Sequence, residues 1–190
     1  GKPSRDFKTV RAFMYSEPEA WDRLMAYLSK MTFEYLAMQI AAGADVIQVF
    51  DSWVGGLHPA VYKASLFPHM SELFRKLDGL HVPTIHFGTG TASLLPTMKA
   101  AGGSVIGIDW MTELGAARKM LGPQVAVQGN LDPTVLLAPF DVVTREVDRV
   151  LNEVQGAPGH IFNLGHGILP NTPEDTVARV VQYIQEKSKR

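Results

Sequence analysis

Five times along this chain, a short apolar run rich in β-branched residues is followed by a longer stretch whose apolar residues recur at a helical spacing. The short runs lie at 46–50, 84–87, 104–108, 125–128 and 161–164, and the helical stretches at 59–77, 91–101, 112–121, 139–154 and 173–187. Another helical stretch, 18–42, comes before the first run, with Trp21, Leu24, Met25, Leu28, Met31, Leu36 and Ile40 on an approximately helical period. Ser16 is its candidate N-cap, Pro18 opens it and Gly43 stops it. Parallel strands can be joined only by long crossovers, usually helices, so this alternation predicts an α/β fold around a parallel sheet. An open doubly wound sheet and part of a barrel both satisfy the pattern. Both place ligands beyond the carboxyl ends of the strands.

Composition narrows the partners. With 46% hydrophobic and 19% charged residues, the 190-residue chain can bury the core of one domain. Lysine plus arginine (18) almost balance aspartate plus glutamate (19), so no overall field selects nucleic acid or an anionic membrane. Cysteine is absent. Within these residues that excludes disulfides, thiolate catalysis, thiolate zinc sites and iron–sulfur clusters, and it fits a reducing compartment. No apolar run reaches the length of about 18 residues that a membrane span needs, and Gly1 to Asp6 carry no secretory h-region. A cytoplasmic chain is expected.

Glycine and polar residues cluster just after the strands. Ser52 offers a hydroxyl in Asp51-Ser52-Trp53 and lacks the Gly-x-Ser-x-Gly elbow of a serine nucleophile, so it is read as a hydrogen-bonding group. His166 lies between Gly165 and Gly167, where the backbone is permissive and space is left for a ligand. An imidazole there can bind a carboxylate or transfer a proton. His86 sits inside an apolar strand without a second ligand at a metal spacing, and is read as structural. Asp109 stands equally well as a ligand group or as a cap. Asp132, before Pro133, reads as a cap, and Asn130 as structural. Gly88-Thr89-Gly90 partly mimics a dinucleotide fingerprint, with Asp109 some 20 residues on. Ser93 stands where the third glycine belongs, so a glycine turn is the favoured reading.

Taken in order, these motifs resemble the uroporphyrinogen decarboxylase family. Gln48-Val49-Phe50-Asp51-Ser52-Trp53 is similar to the family's strand with its substrate-binding serine, and Ile106-Gly107-Ile108-Asp109-Trp110 to its Gly-Leu-Asp-Trp segment. Gln128-Gly129-Asn130-Leu131-Asp132-Pro133 and Asn163-Leu164-Gly165-His166-Gly167 resemble two of its most specific signatures. Ser4-Arg5-Asp6-Phe7 and Phe13-Met14-Tyr15 resemble the segment after its glycine-rich loop, although Lys2-Pro3 replaces glycines there.

The resemblance implies a parallel (β/α)₈ TIM barrel, with residues 1–190 the C-terminal part of that single domain and about its last five βα units. It implies removal of the four acetate carboxyl groups of uroporphyrinogen III, giving coproporphyrinogen III in heme biosynthesis. No cofactor and no metal are implied; a homodimer is, with neither nucleic acid nor membrane as partner. Two polar site residues carry over: Ser52, binding substrate, and His166, binding substrate and catalytic. The family's arginine-rich loop, its pyrrole-gripping aspartate and its site tyrosine belong to segments before Gly1, so the chain alone is expected to be inactive. Another copy or those segments are expected to cover the sheet's edges.

Two rival readings remain. Zinc-dependent corrinoid methyltransferases of the same superfamily call for a His-x-Cys motif and a further cysteine, whereas this chain has His86-Phe87-Gly88 and no cysteine to hold zinc. A non-catalytic α/β protein binding a small anion is the other.

Overall fold

A computed structural model describes residues 7–154 and 159–188. Lys2, Pro3, Ser4, Arg5 and Asp6, which bear on the resemblance, lie outside the described residues. The elements run α1 (Lys8–Ser16), α2 (Pro18–Ala41), β1 (Ile47–Phe50), α3 (Pro59–Ser65), α4 (Phe67–Asp78), β2 (Thr84–Phe87), α5 (Leu95–Ala101), β3 (Val105–Gly107), α6 (Leu114–Leu121), β4 (Ala126–Gln128), α7 (Phe140–Glu153), β5 (His160–Ile161) and α8 (Glu174–Ser188). The strands are all parallel and lie in chain order, β1-β2-β3-β4-β5. Each crossover therefore leads to the adjacent strand, as in a (β/α) barrel, and the arc is open, with β1 and β5 at its edges.

Register separates two faces. Val49, His86, Ile106 and Val127 share one row and are buried toward the helices. Gln48, Phe50, Phe87, Gly107 and Gln128 alternate with them onto the other face. That face is concave. In a flat sheet β1 and β4 would lie about 14 Å apart, three strand spacings, yet Gln128 Nε2 donates to Gln48 Oε1 at 3.2 Å. Phe50 and Ile161, on this face, are 67% and 44% exposed. A closed barrel fills its interior with such residues.

The convex face carries the core. Ile47 and Val49 pack with Leu36 of α2 and with Met70, Leu73, Phe74 and Leu77 of α4. Ile106 and Val127 pack with α6, and with Val143, Val147 and Val150 on one face of α7. Trp21 Nε1 donates to Ser65 O at 2.9 Å, tying α2 to the end of α3.

Several boundaries differ from the sequence reading. Ser16 does not cap α2: it is the last residue of α1, a helix absent from that reading, and Glu17 flanks α2 without a side-chain cap bond. The stretch 59–77 is two helices broken at Leu66, because Pro68 supplies no amide and its ring disfavours a continuous helix. The row read along α2 also divides: Leu36 is buried, while Leu24, Leu28 and Met31 face outward. Strand β5 pairs regularly over only two residues, since Gly129 turns the partner chain at φ +133°. Pairing then resumes, with Leu131 N donating to Asn163 O (3.1 Å) and Gly165 N to Leu131 O (2.7 Å).

Phe74 is fully buried between α4 and β2, with its ring 4.6 Å from that of His86. Phe74→Ala should lower stability by about 3–5 kcal/mol, read as the shift in a urea unfolding curve.

Candidate active site

Parallel strands deliver every carboxyl-end loop to one end of the sheet. There they wall a cleft of about 830 Å³, lined among others by Ser52, Trp53, Gly90, Trp110 and His166. Helix α1 and the start of α2 form another wall through Val10, Arg11, Met14 and Trp21. The lining is mainly apolar, and it includes all three tryptophans of the chain.

The structure brings the two sequence-predicted site residues together. Ser52 follows β1 and His166 follows β5, the two edges of the arc, yet both line the same cleft. The Ser52 loop is held from behind: its carbonyl accepts from Thr89 N at 3.3 Å and from the Thr89 hydroxyl. Half-buried Ser52 thus has a fixed backbone beside the cleft. His166 is exposed, with its ring edge-on to Trp110 at 5.5 Å. Gly165 is needed for space: a Cβ there would lie 2.2 Å from Trp110 N. Nothing would crowd one at Gly167.

Asp109 emerges as a structural group. Its carboxylate accepts from Gly90 N in the glycine turn and from Thr112 Oγ1 at 2.8 Å, and the residue is 1% exposed. Asn130 Nδ2 donates to the carbonyls of Asp109 (2.8 Å) and Thr112. Asp132 caps a short 3₁₀ turn over Pro133–Leu137, accepting from Thr134 N at 2.8 Å. His86 is fully buried, with Nε2 3.5 Å from Asp51 Oδ2. Among the described residues, no three His, Asp or Glu side chains converge as a metal site.

Two features escaped the sequence reading. Phe7, Val10, Arg11 and Met14 line the cleft at i, i+3, i+4 and i+7, a spacing that could have revealed α1. Tyr62 is fully buried and donates its hydroxyl to Asp51 Oδ2 at 3.1 Å. Burial, reinforced by the Asp51 charge and this bond, pushes its phenol well above the ordinary range, so it stays a donor.

A parallel β/α arc with an apolar cleft beyond its strand ends is part of a (β/α) barrel, a fold whose sites lie at the carboxyl rim. The family model described as uroporphyrinogen decarboxylase (URO-D) matches residues 1–187. The uroporphyrinogen decarboxylase of Thermus thermophilus is 56% identical over 186 residues, covering 98% of this chain and 54% of its own length. That of Pelobacter propionicus is 50% identical over 189 residues, covering 100% and 56%. That of Thermobifida fusca is 46% identical over 188 residues, covering 99% and 52%. The chain belongs to the uroporphyrinogen decarboxylase family, and it spans about half the length of the curated relatives it matches.

Tyr62→Phe removes the donor to Asp51 while keeping the ring. A bond to a carboxylate is worth about 1.5–3 kcal/mol, and a loss of that size is expected in chemical unfolding. His160 gives a pH test. Burial lowers its pKa below the ordinary 6.5, with Arg118 adding to the shift and the bond from Nε2 to Gly129 O (2.7 Å) opposing it. Below about pH 6.5 the unfolded ring takes up a proton that the folded ring resists, so stability falls with pH there. His160→Gln, which keeps a donor and does not titrate, should flatten the slope of the urea midpoint between neutral and mildly acid pH.

Proposed function

We propose that residues 1–190 are the later part of a single barrel domain of a uroporphyrinogen decarboxylase, which removes the four acetate carboxyl groups of uroporphyrinogen III to give coproporphyrinogen III. The observation that carries this reading is the meeting of Ser52 and His166, from the two edges of the arc, on one apolar cleft. Similarity to relatives named for this activity supports it.

Loss of carbon dioxide needs an electron sink, and a protonated pyrrole of the substrate can serve as one. The protein's work is then positioning, charge stabilisation and proton delivery. Apolar walls exclude water and strengthen each polar contact. Ser52 donates a hydrogen bond to a substrate carboxylate. His166 meets another carboxylate and assists proton transfer, since an imidazole can both donate and accept a proton. The group that stabilises the cationic pyrrole lies outside these residues, so the chain alone is inactive. The family resemblance supports a cytoplasmic homodimer as the working unit.

The test is coproporphyrinogen formed anaerobically by the protein at the full length of its relatives, with folding checked by circular dichroism. His166→Asn should cut turnover by about 10²-fold or more, because asparagine can neither carry charge nor move a proton. Ser52→Ala should cost only about 0.5–1.5 kcal/mol of transition-state stabilisation. Unchanged turnover in His166→Asn would remove His166 from the mechanism. Full turnover by the 190-residue chain would show that the missing pyrrole-binding group had been misplaced.

A further inference from the structure

Helix α1 presents Val10, Arg11 and Met14 to the cleft as one helical stripe, and Phe7, which flanks its start, extends it. Three of the four are apolar: Phe7 packs on Trp53 with ring centroids 5.3 Å apart, and Met14 is buried. A guanidinium in the middle of such a stripe is out of pattern, because a helix normally gives its apolar face to the core and its charges to the opposite side. Among the described residues, Arg11 is the only lysine or arginine that lines the cleft, and its side chain makes no ion pair.

The acidic residue in the lining is no partner for it. Asp51 Oδ2 accepts from Tyr62 OH and faces His86 Nε2, so that oxygen is held by the inner wall. The other lining side chain able to carry positive charge is His166, from the far edge of the arc. The cleft therefore holds an always-charged, unpaired fork on one wall and an imidazole reached from β5. Guanidinium matches a carboxylate with two parallel N–H···O bonds.

We infer that Arg11 is a specificity-determining residue of this cleft, pairing with a carboxylate of a polycarboxylate tetrapyrrole while Ser52 and His166 engage others. The inference rests on the decarboxylase reading and adds to it a residue of α1.

The probe is uroporphyrin, the air-stable oxidised form of the substrate, and the readout is quenching of Trp21, Trp53 and Trp110, all of which line the cleft. The unsubstituted protein, at the full length of its relatives, should show saturable quenching that weakens as salt is raised. R11Q should bind about tenfold more weakly at low salt and lose most of the salt dependence. R11K should retain part of the affinity as a point charge without the fork, and R11E should bind worst. This order follows charge and fork geometry, whereas packing of the aliphatic stem alone would make R11Q and R11E alike.

Saturable quenching that R11Q and R11E leave unchanged overturns the role of Arg11 and leaves the decarboxylase reading standing. Absence of quenching in the unsubstituted protein overturns the decarboxylase reading itself. Arg11 is exposed on α1, and circular dichroism checks each variant. Should a variant fail to fold, the salt dependence of the unsubstituted protein decides, and binding indifferent to salt overturns the proposal.

Discussion

A carboxylate that is 1% exposed must find donors or remain uncharged, and Asp109 satisfies this by joining loops that no strand pairing connects. Its oxygens take Gly90 N from the loop after β2 and Thr112 Oγ1 from its own loop after β3, while its carbonyl takes Asn130 Nδ2 from the loop after β4. One loop further along, Thr89 holds the Ser52 carbonyl after β1. The rim is thus laced from β1 to β4. Sheet pairing alone would fix the strands and leave these loops to move; the lacing turns four of them into one wall. The fifth loop joins by close packing, because Gly165 lies against Trp110 N where no side chain could fit.

This division explains what each rim residue can do. Both carboxylate oxygens of Asp109, the Nδ2 of Asn130 and the Oδ1 of Asp132 are taken by the protein, and none of the three residues lines the cleft. Ser52 is held through its carbonyl, which leaves the hydroxyl to act in the cleft. His166 leans on Trp110 by its ring edge and is exposed. Rigid backbone with uncommitted functional groups is the preorganisation a binding site needs, since little rotamer freedom is then lost on binding.

The strands and crossovers were legible because buried parallel strands are continuous apolar runs and amphipathic helices repeat at 3.6 residues. The α1 helix was not. Its nine residues carry Lys8 and Arg11 among the apolar ones, which masks the helical spacing of Val10 and Met14, and its place against the cleft shows what that spacing is for. The break between α3 and α4 was written in Pro68, but the apolar period runs on through it. Asp109 could not be settled from sequence, because the donor that decides its role, Gly90 N, lies 19 residues away. Ser52 and His166 were legible as motifs. Their sharing of one cleft depends on curvature, which the Gln48–Gln128 contact reveals and no local pattern encodes.

Curvature also accounts for the unusual surface on the concave side. Phe50 is 67% exposed beside the site, and Phe87 lies against it edge-on at 5.8 Å. Gly107 permits this: a Cβ there would stand 2.8 Å from the Phe87 ring, so the ring can sit this close to β3 only beside a glycine. Phe87 thereby packs over β3, on the face that also carries the Gln48–Gln128 pair. The cleft takes the guanidinium of Arg11 from α1 and the imidazole of His166 from the loop after β5. A ligand carrying many carboxylates would find its polar partners, Arg11, Ser52 and His166, set around a mainly apolar lining.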